Sequence, residues 1–267
     1  MSEIHPSALV DPAAELGPDV EVGPYAIVEA GARLGARCVV EAHGIVKGGT
    51  VMGEDGRVGH FAVVGGDPQY LAFDPATHTG VLLGERVRLG EGVTIHRSIH
   101  EGRNTRIGND VFLMGYSHVA HDCVLADHVV VANAALLAGH VELGERVFVG
   151  GGAAFHQFAR VGEGAMIGGA AEVSADVPPF VTMARRNLAC GLNLVGLKRR
   201  ETSEEVTADL KACYRAVYLR EGNPRSLAEK ALAAENLGLT SQGRAFLEFF
   251  LTGERGFARP RRRANDS

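Results

Sequence analysis

Between Gly115 and Gln157 lie His118, His121, His140 and His156, besides His128, with Asp122 directly after His121. An imidazole titrates close to neutrality, so such a cluster can accept a proton from a hydroxyl and give it back within one reaction cycle. What matters is whether the chain brings them together.

A six-residue repeat supplies the answer. Every sixth residue from Ile4 is apolar, through Val10, Leu16, Val22, Val28, Leu34, Val40, Val46, Met52 and Val58 to Val64. The register resumes at Leu83, Leu89 and Ile95 and runs again from Ile107 to Val173. The fifth residue of each hexad is small (Ala8, Ala14, Ala26, Ala32), and glycine recurs at the second (Gly17, Gly23, Gly35, Gly53), where a tight turn favours a residue without a Cβ. Period six fits neither a helix nor an alternating strand but a short strand followed by a turn. Three hexads close a triangular coil, and coils stack at the strand spacing of about 4.8 Å. The expected fold is therefore a parallel β-helix, in which residues eighteen apart are neighbours. His121, Gly139 and Gln157 form one such column, and Asp122, His140 and Phe158 the next. A β-helix core has no need of histidine, so several on one edge call for a functional reason.

Composition narrows the class. With 46% apolar residues and no run long enough to span a bilayer, the 267-residue chain reads as soluble, cytoplasmic and without an integral membrane segment. A net charge of −5 argues against general nucleic-acid binding, and the four scattered cysteines suggest neither disulfides nor a thiolate zinc site.

The repeat is interrupted twice, between Val64 and Leu83 and between Ile95 and Ile107, where Glu101 stands in place of an apolar residue. Loops thrown out of a regular solenoid are candidates for function. The solenoid is expected to stop near Pro178-Pro179. Beyond it, a capping box from Thr202 to Glu205, Asn223-Pro224, and Phe246, Phe249 and Phe250 mark three helices, with Arg259 to Arg263 as a basic tail. The boundary falls between about Asn187 and Thr202, dividing the chain into a β-helix over 1–190 and a C-terminal helical domain over 191–267.

His118-Val119-Ala120-His121-Asp122-Cys123, Leu137-Ala138-Gly139-His140-Val141, His156-Gln157-Phe158, Asp176-Val177-Pro178-Pro179 and Asn193-Leu194-Val195-Gly196-Leu197-Lys198-Arg199-Arg200 resemble the UDP-N-acetylglucosamine 3-O-acyltransferases, which open lipid A biosynthesis. The resemblance spans nearly the whole chain and implies a left-handed coil. It implies transfer of a 3-hydroxyacyl chain from acyl carrier protein to the 3-position of a UDP sugar, by a homotrimer with active sites between subunits. No resident cofactor or metal is implied, since 4′-phosphopantetheine arrives on the carrier protein. By the same resemblance His121 is the general base, Asp122 orients it, and the Gly139 amide supports the oxyanion. Gln69, His96, His118, His140, His156, Gln157, Asn193, Arg199 and Arg200 match substrate-binding positions, and Gly169 matches the position that limits acyl length.

The sequence departs from the pattern in places. Gln69-Tyr70-Leu71-Ala72 stands where the family has Gln-Asp-Leu-Lys, and Val195 replaces a glutamate. Transfer to a 3-amino UDP sugar is the alternative these changes leave open. Two further readings compete: a γ-class carbonic anhydrase-like enzyme holding zinc through His96, His118, His121 and His140, and a scaffold with no catalysis.

Overall fold

The computed structural model describes residues 2–234 and 236–260. Most hexads fold into a two-residue strand whose second residue points inward: Val22, Val28, Leu34 and Val40 are all buried. Strands pair in parallel with those one coil away, Glu3 with Glu21, Leu9 with Ile27 and Glu15 with Arg33. Three sheets result, of twelve, nine and eight strands among the described residues, which form faces one, two and three of a left-handed triangular prism. The apolar column fills the prism and the small fifth residues (Ala26, Ala32, Cys38, Ala62) are buried at its corners.

The corners turn by a route the sequence did not suggest. The fourth residue of the hexad adopts positive φ, as in Asp19, Tyr25, Arg37, His43, Asp55 and Phe61, so ordinary residues accept a left-handed conformation that glycine would take more cheaply. The second-position glycines serve another purpose. A Cβ on Gly17, Gly35 or Gly53 would lie 2.7–2.8 Å from the backbone of the next coil, so these glycines permit stacking and do not supply the turn conformation. The third position donates no backbone ladder bond to the stacked coils among the described residues, which is why proline fits there at Pro6, Pro12, Pro18 and Pro24.

Both interruptions leave the same corner, between faces two and three. The first connects strand Val63–Gly66 on face two to Gly80–Leu83 on face three, and the second connects Thr94–His96 to Asn104–Ile107. Arg97 fastens the first loop: its guanidinium donates to Asp67 Oδ1 at 2.9 Å and to the carbonyls of Thr77 and Pro75, over the ring of Phe73. Glu101, the exception to the apolar series, accepts the His78 amide at 2.8 Å and so ties the two loops together.

Pro178-Pro179 does not end the coil, contrary to the expectation from sequence. Strand Val181–Ala184 still stacks in parallel on Met166–Ile167, because a proline at a corner forfeits no ladder bond. Leu188–Leu192 then pairs antiparallel with it and Arg259–Pro260 pairs with Leu188–Ala189. Helices α1 (Leu194–Arg199), α2 (Glu204–Tyr218), α3 (Pro224–Ala233) and α4 (Ser241–Glu248) follow. The cap of α2 is Ser203, which accepts the Val206 amide, and not Thr202, whose own amide is held by the Leu197 carbonyl. Asn223 and Pro224 open α3 as the sequence indicates. Leu210, Cys213, Val217, Phe246 and Phe250 form the helical core. Of the basic tail, Arg261 to Arg263 lie outside the described residues. None of the described helices is long and apolar enough to cross a membrane.

Candidate active site

The corner between faces two and three carries Asp122, His140 and Phe158 on successive coils, all at positive φ. His140 and Phe158 stack with ring centres 4.4 Å apart and planes 6° from parallel. His121, one position earlier, is nearly buried and lies against the backbone of Gly139; a Cβ on that glycine would stand 2.6 Å from the His121 Nε2. Gly139 is thus required by the imidazole above all else. Being a third-position residue, it keeps its N–H out of the backbone ladder.

His121 Nδ1 meets Asp122 Oδ2 at 2.9 Å, and donation there leaves Nε2 as the basic nitrogen. Asp122 is itself fixed from several sides. Ser98 Oγ donates to its Oδ1 at 2.5 Å, the Ile99 amide donates to Oδ2 at 3.1 Å, and its own amide donates to Thr105 Oγ1 at 2.9 Å. Burial works against the charged carboxylate, but the hydrogen bonds from His121, Ser98 and Ile99 outweigh it and hold the pKa well below the usual carboxylate range.

Beneath this pair, on face two, His118 and His96 meet edge to face at 4.7 Å. His118 Nδ1 lies 2.7 Å from Thr94 Oγ1, and burial lowers its pKa. His96 is 8% exposed and its Nδ1 has no partner; desolvation, with the His118 and His121 rings adding to it, lowers its pKa to about 4. Burial likewise lowers His140, although Asp122 pulls the other way. One coil above His140, His156 Nδ1 accepts from Arg255 at 2.6 Å and the Gln157 carbonyl accepts from the same guanidinium at 2.7 Å. Gln69 is exposed on the first loop. An open groove of about 1260 Å³ runs beside the corner, lined among others by Arg103, Asp122, His140, Phe158 and Arg255.

Other expected residues lie elsewhere in the chain. Asn193 caps α1 by accepting the Gly196 amide at 2.9 Å and donates to the Gly164 carbonyl, while the Arg200 guanidinium covers Gly164 and stands 3.7 Å from Glu163. That is the corner between faces three and one. Arg199 is exposed on the same helix. Gly169 lies at the third corner, between faces one and two, where a Cβ would meet only Gly151, 3.3 Å from its carbonyl oxygen. The zinc set suggested by His96, His118, His121 and His140 is not assembled; among the described residues the one group with metal-ligand spacing is His100, Asp122 and His140. Ser98, Thr105, Arg97 and Arg255 were not singled out from sequence. Only their place in or beside the interruptions could have drawn attention to the first three.

The chain matches solved structures over nearly its whole length. Residues 176–258 match the family profile described as UDP-N-acetylglucosamine O-acyltransferase, domain 2, and residues 104–139 match the bacterial transferase hexapeptide repeat. A solved UDP-N-acetylglucosamine acyltransferase from Campylobacter jejuni superposes with a TM-score of 0.90 at 35% identity, covering 97% of this chain and 100% of that one. The Acinetobacter baumannii structure gives 0.88 at 31% identity, covering 96% and 99%. Curated relatives described as acyl-(acyl carrier protein) UDP-N-acetylglucosamine O-acyltransferases align over shorter stretches. The Janthinobacterium protein is 47% identical over 66 residues, 24% of this chain and 25% of its own length, and the Aquifex aeolicus protein is 38% identical over 88 residues, 33% of each. The aligned part thus spans a quarter to a third of those relatives.

Proposed function

The chain belongs to the UDP-N-acetylglucosamine O-acyltransferase family, and we propose that it moves a 3-hydroxyacyl chain from acyl carrier protein to the 3-hydroxyl of UDP-N-acetylglucosamine, the first step of lipid A biosynthesis. The observation that carries the mechanism is the His121–Asp122 pair packed against a glycine whose N–H is uncommitted. His121 Nε2 takes the proton of the sugar hydroxyl as its oxygen attacks the thioester carbonyl. The Gly139 amide stabilises the resulting oxyanion. Collapse breaks the carbon–sulfur bond, and the proton on His121 passes to the departing phosphopantetheine thiolate. Asp122 stays ionised throughout, because its hydrogen bonds favour the charged form, and it stabilises the imidazolium between the two steps.

His96, His118, His140, His156, Gln157 and Gln69 line the same edge and fit contacts to the sugar and acyl groups. Asn193, Arg199 and Arg200 sit on a second corner and Gly169 on a third, and one prism cannot bring three corners to one substrate. This separation supports a homotrimer in which a neighbouring copy supplies the arginines to the diphosphate or carrier protein and Gly169 to the acyl groove. The open space beyond Gly169 favours a long chain, around fourteen carbons, since each buried methylene contributes about 0.8 kcal/mol. No resident cofactor is needed. A cytoplasmic location belongs to the proposal because both reactants are water-soluble.

The test is an assay of the purified protein with UDP-N-acetylglucosamine and with its 3-amino analogue, each with hydroxyacyl carrier proteins of several lengths. Ester formation with the hydroxy sugar is expected. Preference for the amine would reassign the acceptor, and transfer to neither sugar by the folded protein would reject the reaction.

A further inference from the structure

We propose that His100, Asp122 and His140 form a transition-metal site suited to Zn²⁺, and that metal occupancy and acyl transfer exclude each other. The three side chains offer ligand atoms within 4.8 Å of one another; His140 Nε2 lies 4.0 Å from Asp122 Oδ2, and the His100 and His140 rings are 5.7 Å apart. Two imidazoles and a carboxylate are a donor set that zinc and its first-row neighbours accept, at about 2.0–2.2 Å per bond. The group is therefore open by roughly an ångström relative to a filled site. His100 can close that gap. It is exposed on the second interruption, and its ring makes no hydrogen bond among the described residues. The other two ligands are held by their stacked corner, and the groove gives an ion access to both.

Asp122 Oδ2 is where the two uses collide. It already receives His121 Nδ1–H at 2.9 Å, and a metal on that oxygen withdraws the acceptor that fixes the imidazole. A dication beside the ring also opposes formation of the imidazolium. This antagonism rests on the role proposed for His121, whereas metal binding does not.

Zn²⁺ titrated into the purified full-length protein, with Co²⁺ as its spectroscopic counterpart, tests the binding. One ion per chain is expected, with His100→Ala weakening it by about tenfold or more, the order of loss on removing even an outer partner of a ligand. His78→Ala, at a histidine paired with Glu101 beside the same loop, should leave it unchanged. In the transfer assay Zn²⁺ should inhibit the wild type, a chelator should reverse this, and His100→Ala should need about tenfold more Zn²⁺ for equal inhibition. Equal Zn²⁺ affinity in wild type and His100→Ala overturns the site. Stoichiometric binding without inhibition overturns the exclusion. If the protein transfers no acyl group at all, the binding titration still decides the site by itself.

Discussion

Two corners of this prism use the same left-handed residue in every hexad and put it to opposite purposes. Between faces three and one the column reads Asp19, Arg37, Asp55, Arg86, Asp110, His128, Arg146, with charges that alternate from coil to coil as far as Asp110. Arg37 meets Asp55 at 2.7 Å and Arg86 meets Asp110 at 2.7 Å, all of them in solvent. Between faces two and three the same position holds Asp122, His140 and Phe158, and there the carboxylate is buried by Ser98, Ile99 and Thr105. The coil is common to both. What differs is that both interruptions of the repeat leave at the second corner, just before Asp122, and their residues remove the polar column from water. Burial turns an ion pair into an oriented acid–base pair.

The largest blow to that contrast is removal of the base. His121→Ala should lower turnover by about 10²–10⁴-fold while the far-ultraviolet spectrum and assembly stay as in wild type. Near-normal turnover in the folded variant would place the base elsewhere. Next comes Gly139→Ala, whose methyl group occupies the space of the His121 ring and should cost about 10²–10³-fold in kcat, the size of a lost oxyanion donor together with a displaced imidazole. Alanine in the corresponding third position at the charged corner has no ring to displace, and Ala36, which holds that position just before Arg37, already shows a methyl group accommodated there.

A smaller effect concerns pH. The folded-state pKa of His96 is lowered to about 4 from an ordinary 6.5, so between those values the unfolded chain binds the extra proton and the native state does not. Stability should therefore fall as pH drops from 6.5 toward 4, by up to roughly 3 kcal/mol from this one group. Denaturant unfolding across that window should give a visibly flatter profile for His96→Gln. An identical slope in the two proteins would show that His96 is not held neutral. Asp122, with its depressed pKa, acts in the same sense at lower pH: its contribution is complete above the ordinary carboxylate pKa and is lost only in stronger acid.

Smallest of all is the charged corner. Arg37→Ala should shift the melting temperature by less than about 2 °C and less still in high salt, because exposed pairs contribute little. Activity should not change. A large loss of either would mean that the two corners are not as separate as their surroundings make them.

The inward column was legible in the sequence because a buried side chain tolerates only apolar groups, and every sixth residue obeys. The histidine column was legible for the same geometric reason above the interruptions, where eighteen-residue stacking holds. Across them the arithmetic fails. Arg57 pairs with Arg88 and His118 with Leu136 above but Thr94 below, so the inserted loops change the spacing. Ser98 reaches Asp122 across 24 residues and Arg97 reaches Asp67 across 30, contacts that no fixed period announces. Recurrent glycine is legible in the sequence but its cause is not, since close approach between coils leaves no mark distinct from a turn. Asn193, which matches a substrate-binding position by resemblance, also caps α1. A capping hydrogen bond and a ligand contact draw on the same residue types.

The alternating corner has a consequence for how the chain finds its register. Val, Leu and Ile recur so evenly in the interior that a coil laid down one turn out of place would bury nearly the same surface. The outer column is less forgiving. Skipping one coil would set Asp19 beside Asp55 and Arg37 beside Arg86, so like charges would meet along this part of the column, where the native stack pairs Arg37 with Asp55 and Arg86 with Asp110. Weak as each pair is in the finished protein, the alternation distinguishes the correct thread from its nearest imitation, a distinction the hydrophobic core cannot make.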